Sequence, residues 1–319
     1  MIRHCLPRFA VAALCAGLAA PVLAADYPAR DVELIVPYSA GGSVDSMARA
    51  FAQELGQALG RSIVVQNRDG AGGTIGVGAV AAATPDGYTV LFSPSSPLTQ
   101  APHLMGKVPY DVADIQAVCQ IFENPFVIAV REESPIRSLD ALLAQAKTKP
   151  GSVSYGHAGL GSVPHLATAS LAQATQVTFN DIAFRGDAQV IPQVLGGHVD
   201  FGALGASTVI GKPMRVLAVL GTERMPAFPD APPVSDVGVK HAVIARNGLY
   251  VHRNVPAAVR EKLAGACQQA TQSPAFQAAA EKQAQRVRWR GPDDFARQLA
   301  ADDAANRALI ESLGLAGRQ

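Results

Sequence analysis

The sequence has few cysteines, almost no net charge and few long apolar runs, and these shortages exclude several classes of protein. Four cysteines in 319 residues are too few for a disulfide-rich scaffold. Because 27 basic side chains face 26 acidic ones, no charged field is available to hold nucleic acid or an anionic membrane. Beyond the first 24 residues, no apolar run is long enough to span a bilayer. This composition favours a globular protein with a small ligand.

Residues 1–24 have the pattern of a secretory signal peptide. Arg3 and Arg8 precede an apolar stretch that ends in the small-residue pattern VLA. We expect cleavage after Ala24 and a mature protein in the periplasm. A lipid anchor on Cys15 is the alternative, but the bulky leucine before that cysteine disfavours it.

The mature chain, residues 25–319, is long enough for two domains. Its two cysteines, Cys119 and Cys267, form either one bridge or two free thiols. Short β-branched runs alternate with alanine-rich amphipathic stretches, which predicts parallel sheets covered by helices, and after Val255 the pattern is helical throughout. Strands are predicted at 32–36, 62–66, 88–92, 126–131, 152–155, 178–184, 199–204, 215–220 and 248–252, and helices at 43–59, 74–83, 138–147, 162–174 and 187–195.

Two glycine-rich junctions each connect a predicted strand to a predicted helix, one in each half of the chain. VPYSAGGSVDSMARAFAQEL starts at residue 36 and VSYGHAGLGSVPHLATASLAQA starts at residue 153. The first amides of a helix have no intrahelical partner and carry the positive end of the helix dipole, so anions bind there. The turns lack side chains at Gly41, Gly42, Gly159 and Gly161. Two lobes that face each other across a cleft would bring both helix starts to one acidic ligand.

Each junction also has a purely structural interpretation, as a tight turn followed by a capped helix. Asp45 either complements the helix dipole or contacts a donor on the ligand. A third glycine cluster contains G-x-G-x-x-A at residues 76–81, but this match lies inside a predicted helix, which disfavours a dinucleotide cofactor. We expect Gly70 to Gly73 to line the rim of the cleft, with Asn67 holding that loop.

Eight motifs follow one another along the mature chain: YPARDVELIVPYSAGGSVDSMAR, VVQNRDGAGGTIG, TPDGYTVLFS, VPYDVADIQAV, AKTKPGSVSYGHAGLGSVPHLA, AFRGDAQVIPQVLGGHVDF, RVLAVLGTERMPAFPDAPPVSDVG and GLYVHRNVPAAV. Their order and spacing resemble the Bug family, the extracytoplasmic solute-binding receptors of tripartite tricarboxylate transporters. The resemblance implies an α/β fold of the type II periplasmic binding-protein class: a two-lobed Venus flytrap with hinge crossovers and C-terminal helices on lobe one. It places lobe one at 25–127 plus 249–319 and lobe two at 128–248.

The resemblance further implies that the loops of the two lobes hold a small carboxylate through backbone amides, hydroxyls and bridging waters. Where the family commonly has Tyr-Lys-Gly, this chain has Phe184-Arg185-Gly186-Asp187. Arg185 and Asp187 therefore either contact the far end of an amphoteric or hydroxylated ligand or pair with each other on the surface. The predicted ligand contacts are Tyr38, Ser39, Ala40, Gly41, Gly42, Ser43, Asp45, Ala71, Gly72, Ser93, His157, Gly159, Gly161, Ser162, His165, Arg185, Gly186 and Asp187.

The predicted function is that of a monomeric receptor that delivers its ligand to membrane permease subunits, with no cofactor, metal or nucleic acid. A periplasmic sensing subunit that acts on a sensor kinase is the alternative. An enzyme is a weaker hypothesis, because the histidines show no H-E-x-x-H spacing and GGSVD lacks the last glycine of G-x-S-x-G. His157 and His165 flank the second junction and are the histidines expected to reach the cleft.

Overall fold

A computed structural model describes residues 27–239 and 243–317, so the predicted signal peptide lies outside the described residues. The strands are β1 Val32–Val36, β2 Ile63–Asn67, β3 Thr89–Pro94, β4 Ile115–Asn124, β5 Phe126–Arg131, β6 Ser154–His157, β7 Asn180–Ala183, β8 Phe201–Gly205, β9 Met214–Val219, β10 Ala245–His252 and β11 Arg286–Arg290. The α-helices are α1 Ser43–Leu59, α2 Thr74–Ala81, α3 Ser96–Thr99, α4 Ala101–Met105, α5 Leu139–Thr148, α6 Val163–Thr175, α7 Asp187–Leu195, α8 Ala206–Val209, α9 Ala257–Gln272, α10 Pro274–Lys282 and α11 Pro292–Ser312.

The strands form two sheets. The first has the order β11-β4-β10-β3-β1-β2 and the second has the order β7-β6-β8-β5-β9. The predicted parallel pairing holds for β1 with β2 and β3, and for β6 with β7 and β8. In contrast, β10 runs antiparallel to β3 and β4, and β5 runs antiparallel to β8 and β9. The sheets are therefore mixed, because β5 and β10, the strands that follow the two crossovers, run against their neighbours.

The chain crosses between the sheets twice. It leaves the first sheet at Pro125, which separates β4 from β5, and it returns between β9 and β10. The molecule is thus a two-lobed α/β protein whose hinge contains both crossovers. The boundaries predicted at 127/128 and 248/249 fall within β5 and within β10.

Each lobe has its own apolar core, and the periodicity of α1 shows how the first one forms. Its buried residues recur with helical spacing, and Phe51 packs against Phe92 of β3 and Phe276 of α10. The last helix, α11, reaches both cores. Phe295 near its start packs in the first lobe, while Ile310 near its end joins the core of the second. The C-terminal helix therefore lies along both lobes.

The prediction of a wholly helical C-terminal region is wrong at β11. This strand pairs with β4 at the edge of the first sheet, and its sequence RVRWR alternates charged and apolar side chains with the period of a strand. In addition, Cys119 of β4 and Cys267 of α9 form a disulfide bond, which settles the alternative that the sequence left open. Among the described residues, no helix is both long and apolar enough to cross a membrane.

Candidate functional site

A small cavity lies between the lobes, beyond the carboxyl ends of β1, β3 and β6, where ligands bind in open α/β sheets. It offers about 20 Å³ to the centre of a water-sized sphere, which is room for roughly one water molecule. The lobes are therefore nearly closed on each other, and a larger ligand requires them to separate. The lining residues are Tyr38, Gly42, Ser43, Val44, Pro94, Ser96, Phe126, Ala158, Ser162, Val163, Pro164 and Asp187.

The first lobe contributes the start of α1 to this cavity. Gly42 caps the helix with extended backbone and has no side chain to cover the first amides. Ser43 is fixed by two hydrogen bonds: its Oγ donates to Asn124 Oδ1 at 3.0 Å and accepts from Ser207 Oγ at 3.1 Å. Ser207 belongs to the second lobe, so its hydrogen bond with Ser43 joins the two lobes.

The second lobe contributes the starts of α6 and α7. Ser162 precedes α6 in extended conformation, and its buried Oγ has no hydrogen-bond partner among the described residues. Asp187 is the first residue of α7, directly after Gly186. A β-carbon at Gly42 would lie 3.9 Å from the backbone nitrogen of Asp187, so the start of α7 faces the start of α1. Three helix starts, one from the first lobe and two from the second, thus meet at one cavity.

Asp187 is the acidic group of the cavity. It is 6% exposed, and its Oδ2 accepts a hydrogen bond from the amide of Gly205 at 3.0 Å, while its Oδ1 has no partner among the described residues. Burial raises the pKa of Asp187 to about 6, against the opposing effect of the Gly205 amide. A carboxyl group with this pKa is neutral in mildly acidic solution and then offers an O–H donor to the cavity.

Asp45 has a different role, although it also lies in a first helical turn. Its carboxylate accepts hydrogen bonds from the amide of Gly41 at 2.8 Å, from Asn67 Nδ2 at 2.9 Å and from Arg49 Nε at 3.0 Å. Burial favours its neutral form, but these bonds together hold the pKa of Asp45 below its usual range. Asn67 also donates to the carbonyl of Tyr38 at 2.9 Å. Asp45 and Asn67 therefore hold the β1–α1 loop, and neither lines the cavity.

Five glycines bring the lobes into close contact around the cavity, and we call them the glycine seam: Gly72, Gly159, Gly161, Gly186 and Gly205. A β-carbon at Gly72 would overlap the carbonyl oxygen of Leu160, and one at Gly159 would lie 2.7 Å from the amide nitrogen of Gly72. A β-carbon at Gly161 would lie 2.9 Å from Ala101. Side chains at the seam would therefore keep the lobes apart.

His157 and His165 lie beside Asp181 instead of at the cavity. Both imidazoles are buried, their ring centroids are 4.8 Å apart, and His157 Nε2 lies 3.5 Å from Asp181 Oδ2. Ligand atoms of these three residues lie within 4.8 Å of one another, a spacing at which they could hold a metal ion. The two rings are tilted by 32° to each other, and this cluster lies apart from the cavity. Burial, followed by the charge of His157, lowers the pKa of His165 to about 4.

The remaining predicted contacts do not line the cavity. Ala40, Gly41, Ala71 and Arg185 are exposed. Ser39 is buried against Gly186, and Ser93 donates its hydroxyl to the carbonyl of Pro94 at 2.8 Å. The alternative in which Arg185 pairs with Asp187 on the surface is wrong, because Asp187 is buried and forms no ion pair within the described part of the chain.

Several lining residues were not predicted from the sequence. Pro94 is the last residue of β3, and Ser96 lies just beyond it. Because β3 is the parallel neighbour of β1, their position at the end of a strand was an available signal. Phe126 follows the first crossover and had no such signal. Val44, Ala158, Val163 and Pro164 are apolar neighbours of the predicted glycines and serines.

Comparisons with known proteins agree with this architecture. The model of the tripartite tricarboxylate transporter family receptor, TctC, matches residues 47–315. Protein BugT of Bordetella pertussis strain Tohama I is 40% identical over 229 residues, which is 70% of this chain and 70% of that protein. The periplasmic binding protein BugD superposes with a TM-score of 0.86 at 28% identity, covering 91% of this chain and 99% of that one.

A further solved structure, that of R. palustris Rpa4515 with adipate, has a TM-score of 0.86 at 25% identity, and the match covers 91% of this chain and 99% of that one. The matching family model is named for a receptor and BugD for a periplasmic binding protein, and neither is named as an enzyme. Since the family model spans most of the chain, this protein belongs to the TctC family of solute-binding receptors of tripartite tricarboxylate transporters.

Proposed function

We propose that this receptor captures a small carboxylate in the cavity between its lobes and delivers it to the permease subunits of a tripartite tricarboxylate transporter. The observation that carries this proposal is the convergence of the starts of α1, α6 and α7 on one cavity. Helix starts supply unpaired amides and partial positive charge, which suit a carboxylate. In this proposal the mature protein acts as a periplasmic monomer.

Two further observations support a polar, acidic ligand. The buried Ser162 Oγ and Asp187 Oδ1 have no partner within the described ranges, and a ligand that accepts from the serine and from the protonated acid would pair both. Rpa4515, a protein of the same fold, was solved with adipate, which is a dicarboxylate. The closed arrangement of the lobes supports capture by closure, because a ligand that contacts both lobes stabilises the closed state over the open one.

The experiment is a thermal-shift panel of mono- and dicarboxylic acids, adipate among them, with the matching amides as neutral controls and calorimetry on every acid that shifts the melting temperature. We expect one or more acids to raise the melting temperature and their amides to have little effect. Gly42→Val should abolish the shift, because its side chain would point at the amides of Asp187 and Ala188 across the cleft.

Gly265→Val is the matched control, since a β-carbon at Gly265 meets nothing within 4 Å. It should keep the ligand-induced shift of the wild type. Full stabilisation of the Gly42→Val variant by the same acid would contradict the placement of the ligand at the start of α1.

A further inference from the structure

A second cavity lies at the hinge, separate from the cleft. It offers about 320 Å³ to the centre of a water-sized sphere, which is a volume typical of small-ligand sites. Its walls come from the first crossover at Asn124 to Phe126, from the return at Val243 to Arg246, from the loop after β9 and from β11. Both lobes therefore enclose it, and Phe126 contributes to the walls of both cavities.

The order of the strands places this cavity on the opposite side of the first crossover from the cleft. In the first sheet β11 flanks β4 on one side, while β10, β3 and β1 lie on the other. In the second sheet β9 flanks β5 on one side, while β8 and β6 lie on the other. The hinge cavity is walled by β11 and the end of β9, whereas the cleft is formed at the ends of β1, β3 and β6.

The charged residues of the hinge cavity are four arginines and two glutamates: Arg246, Arg286, Arg288, Arg290, Glu123 and Glu223. Three of the arginines come from β11. Arginines occupy every second position of RVRWR, so their side chains lie on the same face of β11. All three guanidinium groups therefore reach one cavity.

The acids of this region are already engaged by particular arginines. Arg246 is bound by Glu123 and by Asp302, each at 2.6 Å. Arg286 pairs with Glu223 at 2.9 Å, an ion pair that joins β11 of the first lobe to the loop after β9 of the second. Arg290 lies 3.9 Å from Glu123, which Arg246 already engages. Arg288 forms no ion pair with any described residue.

Positive charge is therefore in excess at this site. Burial, followed by the charge of Arg246, lowers the pKa of Arg290, and Arg288 adds to this effect. Guanidinium groups carry five N–H donors in a planar fork that matches the oxygens of a carboxylate or a phosphate. Arg290 already donates from Nη1 to Gln120 Oε1, but its other donors and those of Arg288 bond to no described residue. The two arginines together therefore have the donors and the charge to bind such a group.

We propose that the hinge cavity binds a small oxyanion with three or more negative charges through Arg288 and Arg290, at a site separate from the ligand in the cleft. Because both lobes wall the cavity, such an anion lies next to the cross-lobe pair of Arg286 and Glu223.

The test is calorimetric titration of the Gly42→Val variant with citrate and with pyrophosphate, which separates the hinge from the cleft and polycarboxylates from phosphates. We expect saturable 1:1 binding of at least one of the two anions, no comparable binding of acetate, and weaker affinity at higher salt. Arg288→Gln in the same background should weaken the affinity about tenfold or more.

Arg307→Gln is the matched control, because Arg307 is an exposed arginine of α11 that pairs with Glu311 away from the hinge cavity. It removes the same charge and should leave the affinity unchanged. Arg288→Lys keeps the charge but not the planar fork, so it should bind with intermediate affinity. The proposal is overturned if neither anion binds, or if Arg288→Gln binds as tightly as Arg307→Gln. If the cleft does not bind a carboxylate, the acids would not raise the melting temperature of the wild type, and this result is separate from the titration of the hinge cavity.

Discussion

At the scale of single residues, Asp45 and Asp187 show how position in the fold decides the chemistry of a carboxyl group. Both are first-turn acids of helices that start at the cleft. Asp45 forms an ion pair with Arg49 and accepts a hydrogen bond from the amide of Gly41. Asp187, in contrast, is buried, and one of its oxygens has no partner within the described ranges. The first group therefore keeps its charge and the second is easily protonated.

The raised pKa of Asp187 predicts that carboxylate binding depends on pH. With a pKa of about 6, Asp187 is protonated below pH 6 and donates to a ligand carboxylate, and it ionises and repels the ligand as the pH rises above 6. The dissociation constant of a bound dicarboxylate such as adipate should then increase by up to about tenfold per pH unit between pH 6 and 7.5. Calorimetry across pH 5 to 7.5 measures this slope.

Asp187→Asn should remove the slope, because an amide stays neutral and still donates. The opposite slope, with tighter binding at higher pH, would show that the ligand presents a cation to Asp187 and would contradict the proposed donor role.

At the scale of secondary structure, the predicted helices at 43–59 and 187–195 and the strand at 126–131 match the structure to the residue. β4 was not predicted, although it lies inside the first sheet, between β11 and β10. Its sequence IQAVCQIFEN mixes apolar residues with glutamines and lacks a clear period of two, and its burial comes from its neighbours β10 and β11. Local pattern does not determine a strand whose environment is supplied by distant segments.

The disulfide bond is the covalent link between two of these elements, β4 and α9. It joins residues 148 positions apart, so it restricts the unfolded chain strongly. Cys119→Ser with Cys267→Ser should lower the free energy of unfolding by about 2–5 kcal/mol, measured by urea denaturation.

Both sulfurs lie in the core of the first lobe, away from the cavity. The double variant should therefore keep the acid-induced thermal shift at temperatures where it is folded. Equal stability of the wild type with and without reductant would contradict a stabilising role for the bond.

At the scale of the whole molecule, closure depends on backbone-to-backbone contact across the cleft. The glycine seam joins loops that are far apart in sequence, such as Gly72 after β2 and Gly159 after β6. No side chain fits between these loops in the closed arrangement. The same glycines that leave helix amides accessible therefore also allow the lobes to meet.

Gly72→Ala should hold the lobes apart. Its new methyl group would overlap the carbonyl of Leu160 of the second lobe, so the closed state would be disfavoured. We expect small-angle scattering to show a larger radius of gyration than for the wild type, and the acid-induced thermal shift to be lost.

Gly60→Ala is a closely matched control for this change. Gly60 and Gly72 have nearly the same positive φ, 69° and 64°, so an alanine costs similar backbone strain at both positions. A β-carbon at Gly60 meets nothing within 4 Å. If both variants lost the thermal shift equally, strain in the chain and not contact between the lobes would be the cause.

The sequence by itself determined the α/β class, most of the helices and parallel strands, and the two glycine-rich junctions, because hydrophobic period and turn residues are local properties. Five of the eighteen predicted contacts, Tyr38, Gly42, Ser43, Ser162 and Asp187, line the cavity. Only the tertiary structure decided the roles of the others. Whether a serine, histidine or aspartate meets the cleft, a neighbouring side chain or solvent depends on which distant element packs against it, and the same packing of β11 against the hinge brought three arginines to a second cavity.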